Sequence, residues 1–348
     1  MYIEIGVPAT LPLALVKLNR DGQERYCLLA ATLAHPPVHL RAQAADRFTI
    51  TGPRADVAGH YAQHLYDLTQ PATLTEIEIE YAIPLAMGHG SETMLGLAVA
   101  HAMKYFNTPA ESDVAALAAQ LGEGTDGLSL WASQAGGLML LDLASPTTPP
   151  LYRAEPDNSE KSAWGLVSIL PRLDASLAQD KRHADEPEEN ELDEDEIQVL
   201  ERERYAKLLT AAQSLDTDSG TLFTQQLWPA VEADDLESFG SSLSQLQQLT
   251  QEAMNAVGLP SLLNDHHRTT LNQMAESGAV ACGQSLTGYG LFAFARGARA
   301  TINMRLALKD VVDYSDGVMD ATFIDSRGIR VVEREGNMKP PGTLLDKL

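Results

Sequence analysis

Between positions 74 and 83, Ile77, Ile79, Tyr81 and Ile83 alternate with Glu76, Glu78 and Glu80. A period of two predicts a strand with one buried face and one acidic, solvated face. Shorter apolar runs at 2–7, 12–18 and 26–33 predict three further strands, with Asn19-Arg20-Asp21-Gly22 as the turn before the last of them. A helix is predicted over 54–68, and a second follows Gly90, where Leu95, Leu97, Ala98, Val99 and Met103 make it apolar nearly all round and therefore central. Another helix is expected at 110–121, then strands at Gly136–Leu143 and Trp164–Leu170. The second half reads as helices at 196–213, 219–233, 235–257 and 264–277, strands at Ala279–Gly283 and Leu291–Ala295, a helix at 297–308 and a strand at 318–324. Strands and helices in mixed order, without repeats, predict an α+β fold rather than a doubly wound sheet.

The acidic-faced strand delivers the chain into Pro84-Leu85-Ala86-Met87-Gly88-His89-Gly90-Ser91-Glu92-Thr93, a glycine loop that opens the central helix. Such a loop leaves several backbone N–H groups unpaired beside the positive end of a helix dipole. Gly88 and Gly90 let the backbone approach an anion, and Ser91 and Thr93 add hydroxyl donors, so Gly88–Thr93 is a candidate phosphate site. The same residues also describe a plain strand-to-helix turn with Ser91 as its cap.

Composition limits what such a site can serve. The 348 residues suffice for two packed lobes, and 44% apolar residues describe an ordinary globular chain. A formal charge of −23 opposes nucleic acid and anionic lipid, so a phosphorylated ligand has to be held by a local site against the overall field. No apolar stretch is long enough to span a membrane, the N-terminus lacks a signal-peptide pattern, and Cys27 and Cys282, far apart, fit a reducing cytoplasm. Nine of the twelve residues from Asp185 to Glu196 are acidic, which predicts a solvated insertion over 180–196 leading into a helix.

Other constellations are weaker. His60 and His64 are spaced for one helix face but lack a third metal ligand, and His266-His267 reads as an exposed helix start. Gly283-Gln284-Ser285-Leu286-Thr287-Gly288 is a second glycine turn between strands and has no nucleophile-elbow spacing. Gly122–Gly127 is a third glycine turn. Asp126 and Asp142 are the carboxylates nearest these turns, and both are candidates for catalysis.

Taken in order, the Gly-x-Gly-Ser loop and the Gly-Gln-Ser turn resemble the GHMP kinase superfamily, and within it the β-ribofuranosylaminobenzene 5′-phosphate synthases. The likeness spans residues 1–325 and includes Pro8, Leu15-Val16-Lys17-Leu18-Asn19, Gly136-Gly137, Trp228-Pro229-Ala230 and Phe239-Gly240. It implies a two-lobed α+β fold of mixed sheets packed with helices. An N-terminal domain over 1–160 would carry the phosphate loop, a C-terminal one would cover 161–330, and 331–348 would form a polar tail. The implied reaction condenses phosphoribosyl pyrophosphate with 4-hydroxybenzoate or 4-aminobenzoate, releasing pyrophosphate and carbon dioxide in methanopterin biosynthesis. Mg²⁺ would accompany the pyrophosphate and no ATP would be used.

Several family positions differ here. Thr10 and Pro12 stand where the family has Arg and His, Lys17 replaces an Asp, and Glu24, Tyr26, Cys27 and Leu28 replace an Arg and an Asp-Gly-Gly. Glu92 replaces a loop glycine and brings a negative charge to the phosphate site, while Leu286-Thr287 replaces Ser-Trp in the later turn. In the active case, Gly88–Thr93 would hold a phosphate, His89 or Lys17 would supply positive charge, and Asp126 or Asp142 would stabilise an oxocarbenium. Gly283, Gln284, Ser285 and Gly288 would approach the ligand from the second lobe. The losses also suit a non-catalytic paralogue that acts as subunit or regulator of an active synthase, as a homodimer or heteromer. A small-molecule kinase using ATP is a third expectation.

Overall fold

The computed structural model describes residues 1–107, 126–156, 161–171, 194–312 and 314–338. The expected helix at 110–121, the glycine turn up to Thr125 and the acidic run up to Asp193 lie outside the described residues.

Two long strands form the spine. β1 (Tyr2–Arg20) and β2 (Gln23–Ala45) pair antiparallel through a two-residue turn in which Asp21 and Gly22 both have positive φ, 54° and 75°. That geometry matches the twist of a hairpin, and Asp-Gly is among the pairs that adopt it most easily. The runs 2–7 and 12–18, read as separate strands, are one strand whose register shifts between Val7 and Ala9 and between Pro12 and Ala14. Pro8 and Pro12 have no N–H to give the ladder, so the strand bulges rather than ends.

β3 (Thr49–Thr51), α1 (Ala55–Thr69) and β4 (Leu74–Tyr81) follow, then α2 (Ser91–Asn107), α3 (Gly127–Gln134), β5 (Leu138–Asp142) and β6 (Tyr152–Ala154). The first sheet has the order β11-β1-β2-β4-β3, with β5 pairing β2 over Cys27–Ala31 and β6 beside β5. Its strand β11 (Arg330–Arg334) corrects the expected tail: residues 331–334 pair with β1, antiparallel to Tyr2–Ile5. The second sheet, ordered β10-β7-β9-β8, is built from β7 (Trp164–Pro171), β8 (Ala281–Gln284), β9 (Leu291–Arg296) and β10 (Tyr314–Phe323).

Between β7 and β8 run α4 (Glu194–Gln213), α5 (Asp218–Leu222), α6 (Trp228–Glu232), α7 (Leu236–Ala256) and α8 (Asp265–Glu276); α9 (Ala298–Lys309) follows β9. The single helix expected at 219–233 is interrupted by a π-helical turn at Phe223–Leu227. Pro229 cannot donate to the Gln225 carbonyl, so the chain widens where an α-helix would need that bond.

One apolar core joins both sheets. It gathers Ile3, Leu13 and Leu15 of β1, Leu97 and Val99 of α2, Phe239 and Leu243 of α7, and Trp164 and Phe294 of the second sheet. α2 buries eleven of its residues, as its all-round apolarity predicts. A backbone bridge between Leu33 and Ile324, with Asp325 N–H donating to Thr32 O at 2.8 Å, ties β2 to the end of β10.

Candidate functional site

β4 and α2 are joined by the Gly88–Gly90 loop, where both glycines hold positive φ, 67° and 72°. A methyl group on Gly90 would lie 2.6 Å from Thr10 Oγ1 and 2.7 Å from Ser129 Oγ, so two hydroxyls converge on this bare backbone. The loop and the first turn of α2 form one wall of a cleft of about 360 Å³. Thr10 and Pro12 of β1, Asp126 and Leu128 at the head of α3, Thr287, and a face of α4 bearing Gln198, Glu201, Arg202 and Tyr205 complete it.

Within the cleft, Thr10 Oγ1 and Ser91 Oγ are buried and have no hydrogen-bond partner. Such orphans are costly unless a ligand or water meets them. Asp126 caps α3, accepting from Ser129 N–H at 2.6 Å and Ser129 Oγ at 2.7 Å, and the Thr93 hydroxyl also bonds to it. Burial pushes its carboxyl above the usual carboxylate range, against the pull of those donors.

The charge placed at the loop by Glu92 is neutralised. Arg202 grips its two oxygens, with Nε 2.8 Å from Oε2, and the Tyr61 hydroxyl bonds to it as well. A different carboxylate reaches the loop amides. Glu201 Oε1 accepts from Gly88 N–H at 2.8 Å, and loss of water pushes its carboxyl up to about 7. Nothing in the sequence reading pointed to Glu201 or Arg202, because both arrive on α4 from more than a hundred residues away.

The second glycine turn closes the loop from beneath. Ser285 Oγ and Thr287 Oγ1 donate to Gly88 O at 3.0 and 3.2 Å, and Tyr289 N–H donates to Ala86 O at 2.6 Å. Gly288 lies so near Gly88 N and Ala86 O that any side chain there would strike backbone. Gly283 faces the Gln247 side chain, and Gln284 O accepts from Gln247 Nε2 at 3.4 Å, so these two sit one step behind the cleft.

Three expected partners are elsewhere, and each has a physical reason. His89 is fully buried, its Nδ1 3.0 Å from Met87 O and its Nε2 2.9 Å from Ser168 Oγ; desolvation lowers it to about 4, so it carries no charge for a phosphate. Lys17 pairs with Glu24 at 3.2 Å and lines a separate hollow with Thr217 and Gly220. Asp142 is held by Arg25 at 3.1 Å and by the Ala144 N–H at 3.0 Å, at the end of β5. His60 and His64 are exposed on α1, and His267 is buried inside a capping box with Asn264. Among the described residues no group of three His, Cys, Asp or Glu side chains could hold a metal ion, and no helix is long and apolar enough to cross a membrane.

No protein-family model matches the sequence, and no curated protein is significantly similar to it. Solved structures are similar along nearly the whole length. Homoserine kinase from Cytophaga hutchinsonii superposes with a TM-score of 0.60 at 13% identity, covering 95% of this chain and 97% of that one. Mevalonate pyrophosphate decarboxylase from Streptococcus pyogenes gives 0.59 at 12%, over 94% and 97%. The mevalonate diphosphate decarboxylase from Enterococcus faecalis, in which mevalonate diphosphate mediates ATP binding, gives 0.58 at 11%, over 96% and 99%. At such identities the shared property is the arrangement of elements. The chain therefore has the GHMP-kinase-like α+β fold.

Proposed function

We propose that the cleft binds a phosphorylated small molecule through the N-terminal turn of α2, and that the protein uses it in synthase-type phosphoribosyl transfer to a hydroxy- or aminobenzoate. The observation that carries this reading is the pair of buried, partnerless hydroxyls of Thr10 and Ser91 beside the Gly88–Thr93 turn. Hydroxyls and helix-end amides are the donor set that a phosphate oxygen satisfies. Pro12, Leu128, Tyr205 and Ala206 offer the apolar wall against which an aromatic ring would lie.

In that reaction Asp126, oriented by Ser129 and Thr93, is the one catalytic candidate left in the cleft, placed to stabilise positive charge developing on the ribose. Mg²⁺ would supply charge neutralisation to the leaving diphosphate. Its ligands would be mainly the diphosphate oxygens, since the described residues hold no ready carboxylate cluster.

A second reading is favoured by a specific contact. Glu201 already occupies the Gly88 amide, and Arg202 is engaged by Glu92, which suits a non-catalytic paralogue that binds its ligand weakly or not at all. Kinase chemistry with ATP fits the same fold. Titration calorimetry with phosphoribosyl pyrophosphate plus Mg²⁺, and separately with ATP plus Mg²⁺, discriminates among them when paired with an assay of carbon dioxide release from labelled benzoate acceptors. Heat with the first ligand and carbon dioxide release support the synthase. Heat with ATP alone supports the kinase. Neither heat nor turnover removes both and leaves the regulatory subunit.

A further inference from the structure

Glu201 is placed where a ligand oxygen would sit. Its carboxylate reaches the cleft from α4 and takes the Gly88 N–H at 2.8 Å, one of the very amides the loop leaves open at the head of α2. The loop cannot swing away to present that amide to something else, because Gly88 O is held by Ser285 and Thr287 and Ala86 O by Tyr289 N–H. A second anion brought to the same donor would meet a fixed negative oxygen in a water-poor cleft.

Resting on the phosphate-site reading above, we infer that Glu201 is an internal competitor for the anion site, and that an anionic ligand binds there only together with a proton. The proton comes from solvent and ends on the Glu201 carboxyl, which then ceases to repel the ligand. A neutral carboxyl also gains an O–H, so the group that blocked the anion becomes a donor to it. Specificity follows as well: the site favours oxyanions that accept such a hydrogen bond.

The surroundings support a proton equilibrium near neutrality. Desolvation dominates at Glu201 and raises it to about 7; the Gly88 amide and Arg54, from the segment before α1, favour its charged form, and Glu92 of α2 opposes it. Glu92 is itself clasped by Arg202 and Tyr61, Asp126 stands at the head of α3, and Tyr205 lies one turn along α4. Thr287 is the neutral contribution of the second lobe to the lining, and His89 points into the core.

Sulfate tests this directly, since it stays fully ionised from pH 6 to pH 8. Calorimetric titration of the intact chain should show sulfate affinity about tenfold lower at pH 8 than at pH 6, as expected for a blocking group titrating near 7. Repeating it in buffers of different ionisation enthalpy should show proton uptake on binding. Glu201→Gln keeps the shape and an acceptor for Gly88 N–H, and its affinity should be flat across that range. Equal wild-type affinity at both pH values without proton uptake overturns the inference, as does an undiminished fall in Glu201→Gln. No binding by either protein at either pH removes the anion site itself, and the competitor with it.

Discussion

His89 and Glu201 flank the Gly88 amide, and burial moves their proton affinities in opposite directions. His89 falls to about 4 from an ordinary value near 6.5, so the unfolded chain takes up its proton first as pH drops. Its contribution is complete above about pH 6.5 and is lost on acidification toward 4, by roughly 3 kcal/mol at the limit. Glu201 behaves inversely. Its folded-state value near 7 lies above the ordinary carboxylate value, so its contribution is complete below about pH 4.5 and is lost as pH rises through 7. Because one face of the side chain meets the cleft, the loss is smaller than full burial would give, on the order of 2 kcal/mol. Urea unfolding should therefore find Glu201→Gln gaining stability over wild type at pH 8 and losing that advantage at pH 4.5. A constant difference between the two proteins at both pH values contradicts the assignment. Neither residue's environment was legible in sequence: His89 looks like a loop cation until Ser168 appears opposite it, and Glu201 is one acid among many on a highly charged helix.

At the level of elements, the two glycine turns act as one part. The loop before α2 and the turn between β8 and β9 interlock backbone to backbone, and Gly288 is the point of closest approach. Gly288→Ala should lower stability by about 2–4 kcal/mol and weaken any ligand of the cleft, because the obstacle is main chain and cannot rotate aside. Gly59→Ala on α1 is the matching control. Nothing lies within 4 Å of its added methyl, and helix propensity predicts a gain of roughly 0.5–1 kcal/mol with binding unchanged. Thermal unfolding and sulfate titration of both variants check the pair. The existence and order of most elements could be read from the sequence, since α2, α7 and β4 have strong patterns. The merging of two short strands into β1, the π turn before Pro229 and the pairing of β11 could not. Bulges, widened turns and edge strands depend on partners distant in sequence, which local pattern does not encode.

For the molecule as a whole, the charge of −23 and the proposed ligand are at odds. Arg202 is the only cation lining the cleft among the described residues, and Glu92 engages it, so attraction there comes mostly from amides and hydroxyls at short range. The long-range field is repulsive and screened by salt, with a Debye length of about 30 Å at 0.01 M and about 8 Å at 0.15 M. Affinity for pyrophosphate should thus rise, not fall, as sodium chloride increases over that range. A fall would mean that cationic side chains, Arg202 or the Arg54 that acts on Glu201 among them, dominate binding.

The β1–β2 hairpin has one more consequence. Its strands run 19 and 23 residues, pair with β11, β4 and β5, and reach the second sheet through the Leu33–Ile324 bridge. A shared girder of this kind couples the two halves, and the smaller cluster that the second sheet keeps for itself around Val167, Met274, Leu291 and Leu308 leans on the same core through Trp164 and Phe294 of its own strands. Calorimetry should therefore record a single endotherm, and the slowest-exchanging amides should cluster at Leu28–Leu33 rather than divide between two independent centres.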